Sequence, residues 1–556
     1  MYRRSFLKTA AATGVVAGIA SSPAAWALAE PPFRWGVASG DPLADRVILW
    51  TRCDPRPGTS KVTWEIGTDP NLRRVLRRGT VTTSAATDHT VKVDVTGLRP
   101  STTYWYRFTV SGKASPIGRT KTAPGATQAL DRIRIGLVSC SNWTGGYFSA
   151  YRHLANQPDI DLILHVGDYI YEYGNGADLY GPGPAIGRAH DPGVEMVTLD
   201  HYRRRHAQYK TDPDLRLLHQ RLPFVVTWDD HESANDAWQG GAENHGDDDY
   251  QPEGDWQARR GAALKAYFEW MPVRPVSAGS TQLYRSFSYG SLADLIVLDL
   301  RQDRDEQVVL PAEVDRVDDP DRTITGRAQL DWVKSQLASS QARWKLVGNP
   351  VMITPVVFPP LPDVVGGLPA GQVRQALADL LDGTLPEDGL PYNVDQWDGY
   401  TADRRELLQH IVDEGIDGVA FCTGDIHSTW ACDVPLDAGT YNPLDPSGAL
   451  GGSPSVAVEL VTTSITSDNL DDITGSPPRT TSLAVEGLFK TSNRHVKELE
   501  FDSHGFAVLD ITNERIECEW TYITDREDPS ATTVPGPIWK TDFGSNFVTP
   551  VRTKVI

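Results

Sequence analysis

Cysteine is scarce, with five in 556 residues: Cys53, Cys140, Cys422, Cys432 and Cys518. This excludes a disulfide-built scaffold, and the odd number leaves at least one thiol unpaired within a monomer. Positive charge is also short, with 53 Lys and Arg against 73 Asp and Glu and a net charge of −20. Such a chain has no global attraction for nucleic acid or anionic membranes, and it carries no specific nucleic-acid module. It attracts cations, so an anionic substrate would need something local and positive to receive it, and metal ions are the obvious candidate. After the first thirty residues no run is long enough to span a bilayer. No internal repeat is visible. The acid-rich pieces Gly246–Tyr250 and Glu313–Arg322 lack the glycine and distal glutamate of an EF-hand loop and read as solvated loops.

Hydrophobic residues make up 40% of the chain, with 16 Trp and 19 Tyr, so a large interior is expected. The length implies two or more domains. The N-terminus reads MYRRSFLKTAAATGVVAGIASSPAAWALAE. An arginine pair before Phe6-Leu7-Lys8, a weakly hydrophobic stretch and Ala27-Leu28-Ala29 form a twin-arginine signal over residues 1–29. It predicts an encounter with the Tat export machinery and a secreted, extracellular protein. That route carries folded chains, which suits a protein loading its cofactor before export.

Residues 30–125 are β-patterned. RVILWTR, KVTWEIGTD, RRGTVTTS, HTVKVDV and TYWYRFTV are short, β-branched and aromatic, as in a small sandwich. Leu98-Arg99-Pro100 followed by Tyr104 suggests the tyrosine corner of fibronectin-III-like modules. APGATQ (123–128) reads as a linker. From residue 131 to 556 apolar strands alternate with amphipathic helices, the pattern of an α/β layered domain. A Pro/Gly-rich insertion runs from about 354 to 400. Within it, Val356–Pro369 is uncharged except for Asp363. If exposed beside the site it would form an apolar wall for an acyl chain or a transient lipid-surface contact; otherwise it packs as a buried loop.

The predicted central strands end at Cys140, Asp168, Asp229-Asp230, Asp299, Asn349 and Asp425. One such aspartate is commonly a helix N-cap. Five or six together point to a rim where ligands bind beyond the carboxyl ends of strands. Asp168 and Tyr171 lie one turn apart, His231 follows Asp230, and Asp425 and His427 lie two apart. Thiolate and phenolate suit trivalent iron, whereas plain carboxylates suit calcium, magnesium or manganese.

In chain order, SCSNWTGGYFSAYRHLA (139–155), HVGDYIYEYG (165–174), DHYRRRHAQYK (200–210), VTWDDHE (226–232), VLDLRQDRD (297–305), WDGY (397–400) and TGDIHSTWA (423–431) resemble the PhoD-like alkaline phosphatase and phosphodiesterase family. That family falls within the metallophosphoesterase superfamily. The resemblance spans nearly the whole chain. It implies a layered αββα catalytic domain preceded by the small β-sandwich. It further implies Fe3+ on Cys140, Asp168, Tyr171 and His427, with Asp168 bridging to Ca2+ on Asp230 and Asp425. Asn349 stands where many relatives carry histidine, which puts its place as a ligand in question. Two cations would bind phosphate oxygens and acidify a water for in-line attack. His231, beside Asp230, would protonate the leaving group or orient the phosphate, with a structural hydrogen bond as its alternative. Arg301 would bind the substrate phosphate or else pair internally with Asp303 or Asp305. Cys432, His153 and His206 read as structural. The expected reaction is hydrolysis of phosphate esters, phosphodiesters above all. One alternative is phospholipase D action on phospholipid head groups; some secreted members of this family resemble that type, and the duplicated HxK motif of the other phospholipase D superfamily is absent here. A second alternative is a non-catalytic cell-surface binding protein, which would have no need of thiolate, phenolate and carboxylates together at strand ends.

Overall fold

The computed structural model describes residues 31–176, 179–246, 254–381 and 387–553. The leader and the run 247–250 lie outside the described residues. Among those residues no helix is long and apolar enough to cross a membrane.

Two mixed sheets pack face to face. The first has ten strands, with parallel Arg132–Val138, Leu162–His165, Pro223–Val226 and Val37–Gly40 at its centre. The second has seven, built around parallel Ala293–Val297, Trp344–Asn349, Val419–Thr423 and Ser455–Val461. LILH, PFVV and VAFCT are buried at every position, as strands covered on both faces must be. Leu137, Leu164 and Val225 meet Leu295, Leu346, Ala420 and Val458 between the sheets. Each Leu or Val among them contributes about 1.5–3 kcal/mol by leaving water.

The outer face of the first sheet is covered by helices Ser149–Ala155, Leu199–Tyr209, Pro213–Arg221 and Trp256–Trp270. Pro213 opens its helix at a position needing no N–H donor, while Asp212 accepts from the N–H groups of Asp214 and Leu215. Arg327–Ser339 and Thr401–Asp413 cover the second sheet. The result is the αββα layering.

The N-terminal sandwich is present, with Tyr104, Tyr106, Phe108 and Val110 alternating inward from Thr103–Val110. The Tyr104 hydroxyl accepts from the Arg99 N–H at 2.8 Å, which forms the tyrosine corner. One of its two sheets, however, continues into the catalytic sheet. Val37–Gly40 pairs in parallel with Pro223–Val226, and Arg46–Arg52 and Thr90–Thr96 extend the same sheet. Gly40 is required at this junction, because a Cβ there would lie 2.4 Å from the Pro272 carbonyl oxygen. Local patterning shows the strands of the module but not the distant strand that its edge will meet.

The insertion also differs from the apolar wall considered above. Phe358 is 0% exposed, and Val356 and Val365 are buried with it against helices Ala370–Leu380 and Thr481–Ser492. Phe358 packs edge-on to Phe489 with ring centres 5.8 Å apart. Leu361 is half-buried on the same cluster. The segment forms its own small core, because prolines keep it out of the sheets while its apolar side chains still have to leave water.

Candidate metal centre

The loops that leave the carboxyl ends of both sheets converge. Cys140, Asp168 and His427 bring ligand atoms within 4.8 Å of one another, as do Asp168, Asp229, Asp230 and Asp425, and Asp168, Asp230 and His231. Asp168 belongs to all three groups. Cys140, Asp168, Asp425 and His427 all have positive φ, between 49° and 67°. L-residues held in that region cost about 1–3 kcal/mol each, so the surrounding packing imposes it. Gly167 (φ 123°) and Gly424 allow the loops to close. A Cβ on Gly167 would sit 2.5 Å from Asp229 Cβ, and one on Gly424 would sit 2.6 Å from Ser139 Cβ.

The Cys140 thiol donates to Asp168 Oδ2 at 3.4 Å, and all five cysteines are free. Tyr171 Oη lies 3.4 Å from the same oxygen and 3.2 Å from His427 Nε2, and it accepts from Ser467 Oγ at 2.6 Å. Burial pulls His427 down to about 3, which leaves a neutral imidazole. Asp229 Oδ1 accepts from Arg301 Nε at 2.5 Å, Asp230 Oδ2 from the Asp236 N–H at 2.8 Å, and Asp425 Oδ2 from Gln396 Nε2 at 2.5 Å. The other oxygens of Asp229 and Asp230, together with Asp168 Oδ1, are buried with no hydrogen-bond partner.

Two carboxylates about 4.8 Å apart repel by roughly 3.5 kcal/mol at an effective dielectric constant near 20. Arg301 offsets part of this. It serves Asp229 and lies 3.6 Å from Asp230 Oδ1, but its bidentate bond goes to Asp395. Burial and the neighbouring acids therefore push Asp168 and Asp425 well above the usual carboxylate range, and burial carries Asp229 to about 7. A set of this kind can ionise fully only around cations, and its unmatched oxygens are hard donors of the right type. The residues present fit two metal ions, with the thiol, phenol and imidazole on one side of Asp168 and carboxylates on the other.

The other residues singled out in the sequence are engaged within the protein. Arg301 is 1% exposed and pairs with Asp229 and Asp395, not with Asp303 or Asp305, because the loop after the second-sheet strand turns it inward. Asp299 accepts from Trp228 Nε1 and closes its own turn. Asn349 donates to the Val351 carbonyl at 2.5 Å and accepts from Trp397 Nε1 at 3.2 Å, so both ends of its amide are engaged. His153 lies 2.8 Å from the Ala531 carbonyl oxygen, and His206 stacks on Trp270.

His231 stacks on Tyr171 with ring centres 4.1 Å apart, and its Nδ1 lies 2.8 Å from Glu172 Oε2. Burial lowers its pKa, but Asp230, Glu172 and Asp168 outweigh burial and hold it well above the usual histidine range. Glu172 and Glu232 were missed by sequence reasoning as site residues, and Asp229, named as a strand end, was not among the expected ligands. Glu232 accepts from the N–H groups of Asp168, Tyr169 and Asp229 at 3.1, 2.6 and 2.8 Å, which ties two strand ends together. The available signal was only proximity, since Glu172 follows Tyr171 and Glu232 follows His231.

Comparison with known proteins places the chain in a family. The PhoD-like phosphatase family model matches residues 135–520, and the model of that family's N-terminal domain matches residues 18–124. Alkaline phosphatase D of Bacillus subtilis (strain 168) is 36% identical over 422 residues, which is 73% of this chain and 66% of that protein, slightly under two thirds of its length. A solved structure of PhoD superposes with a TM-score of 0.78 at 30% identity, covering 94% of this chain and 93% of that one. A purple acid phosphatase from yellow lupin (Lupinus luteus) is more distant, at a TM-score of 0.47 and 13% identity over 90% of this chain and 73% of that one. The chain belongs to the PhoD-like phosphatase family.

Proposed function

We propose that the chain is an exported, metal-dependent hydrolase of phosphoric esters, with phosphodiesters preferred. The carrying observation is the set of unmatched buried oxygens on Asp168, Asp229 and Asp230, next to Cys140, Tyr171 and His427. In this reading Cys140, Asp168, Tyr171 and His427 hold Fe3+, while Asp168, Asp229, Asp230 and Asp425 hold Ca2+. When bound, such cations neutralise phosphoryl oxygens and make a water nucleophilic near neutral pH. Glu172 fixes the ring of His231 through Nδ1, and His231 gives a proton to the departing alkoxide. Arg301 restrains Asp229 and Asp230 rather than meeting substrate. The twin-arginine leader supports export. Phe358 lies in a core, which removes the apolar-wall argument for the phospholipase alternative and leaves the family resemblance behind it.

The test is turnover of para-nitrophenyl phosphate, its bis ester and phosphatidylcholine by protein of known metal content. Faster turnover of the bis ester, lost on chelation, is the expected result. Undiminished turnover by metal-free protein would overturn the proposal.

A further inference from the structure

The loop that follows strand Ser455–Val461 supplies none of the assigned ligands, but it touches three of them. Its residues Ser464, Thr466 and Ser467 are all 0% exposed. The Ile465 and Thr466 N–H groups donate to the Cys140 carbonyl oxygen at 3.2 and 3.3 Å. The Asp468 carbonyl oxygen lies 3.1 Å from His427 Nδ1. A carbonyl can only accept, so the ring proton sits on Nδ1 and the Nε2 lone pair faces Tyr171 Oη at 3.2 Å.

The third contact comes from a side chain. Ser467 Oγ lies 2.6 Å from Tyr171 Oη and 3.1 Å from the Cys140 carbonyl oxygen. A hydroxyl has one proton for these two acceptors. The Cys140 carbonyl is already met by two N–H groups. The other polar atoms near Tyr171 Oη, among the described residues, are the acceptors Asp168 Oδ2 at 3.4 Å and His427 Nε2. The Ser467 proton is therefore aimed at Tyr171.

The hydroxyl is also held in place from behind. Arg526 Nη1 donates to the Thr466 carbonyl oxygen at 2.7 Å and pairs with Asp468 at 2.6 Å. Thr466 Oγ donates to the Asn142 carbonyl oxygen at 2.6 Å, and Ser464 Oγ lies 2.8 Å from the Ser467 carbonyl oxygen. Gly145 lets the chains meet, since a Cβ there would lie 2.1 Å from the Thr466 carbonyl oxygen.

A phenolate oxygen that accepts a short hydrogen bond shares its negative charge with the donor and gives less of it to a cation. We propose that Ser467 is a positioning residue that orients Tyr171 and sets how strongly its oxygen donates to a trivalent cation. This rests on the iron reading of Cys140, Asp168, Tyr171 and His427 given above. Nothing in residues 464–468 marked them in the sequence, because their contacts to the centre run through backbone groups and one hydroxyl.

The test is iron analysis, absorption spectroscopy and redox titration of iron-loaded wild type, Ser467→Ala and Ser467→Thr. Ser467→Ala removes one oxygen atom and leaves every assigned ligand in place. It is expected to keep its iron and to move the band that Tyr171→Phe removes to longer wavelength, since the phenolate electrons are held less tightly. It is also expected to make the iron about tenfold harder to reduce, a midpoint about 59 mV lower. Ser467→Thr keeps the hydroxyl and should restore both readouts. Either readout unchanged or shifted the other way in Ser467→Ala, the same shifts in Ser467→Thr, or loss of iron from Ser467→Ala would overturn the role of Ser467 while the iron reading stands. Wild-type protein that takes up no iron, or shows no band sensitive to Tyr171→Phe, would overturn the iron reading and this proposal with it.

Discussion

Glu232 offers the sharpest mechanical test of how the rim is held. It is 1% exposed and accepts three backbone N–H groups, two on Oε2 and one on Oε1. Glu232→Gln can keep at most two of these if its amide oxygen takes the place of Oε2. Its NH2 then faces the Tyr169 N–H, donor against donor. A buried N–H left without its acceptor costs about 1–3 kcal/mol. Glu232→Ala leaves all three donors buried and unmet, at roughly 1–3 kcal/mol each. That sum approaches the 5–15 kcal/mol that typically holds a domain together. Urea unfolding followed by tryptophan fluorescence should show a midpoint lowered in the Gln variant and little folded protein in the Ala variant. The Gln variant should also retain less metal after dialysis, since Asp168 and Asp229 both lean on this carboxylate. A Gln variant within about 0.5 kcal/mol of wild type, with unchanged metal content, would refute the tie between the two strand ends.

Gly167→Ala should keep native circular dichroism yet lose metal and activity, because its Cβ would displace Asp229 and the φ of 123° is strained for alanine. Tyr171→Phe should bleach any visible charge-transfer band of iron-loaded protein, and Cys140→Ser should lose iron while staying folded; absorption spectra and metal analysis check both. Phe358→Ser should destabilise the fold by roughly 3–5 kcal/mol, as for a large aromatic removed from a core, and lower turnover of soluble and lipid esters alike, read from unfolding curves and parallel assays. His495 is pulled by burial to about 4, with its Nε2 2.6 Å from the Pro355 carbonyl oxygen. Its folded pKa lies below the unfolded value near 6.5, so its share of stability is whole above that value and is lost as pH falls toward 4. That share is about 3 kcal/mol, and a His495→Gln variant should show a flatter acid limb in unfolding experiments across this window.

The site was legible where chemistry is local. Asp168, Asp230, Asp425 and His427 each follow an apolar strand, and strand ends in a layered α/β fold share a rim, so a one-dimensional pattern pointed to a three-dimensional cluster. The same rule misplaced Asp299, which spends its oxygens on Trp228 and its own turn, because the rule finds the rim but not which way a side chain points. Arg301 and Asp395 are 94 positions apart, and no periodicity announces their pairing. Phe358 carried too little information in a proline-rich stretch to say what would cover it; helix Thr481–Ser492, more than a hundred residues later, does so. The sandwich strands were visible from alternation and turns. Their union with Pro223–Val226 was not, since a strand edge carries no signature of its partner.

The central claim is that the carboxylates around Asp168 exist to hold cations that do the chemistry. The most direct measurement is metal content per chain, determined with phosphoesterase rate on the same samples, for wild type and Asp168→Asn. The account predicts two metal ions per wild-type chain, loss of both in the variant, and loss of turnover in step with the metal. Full turnover by an Asp168→Asn protein that holds no metal would contradict it.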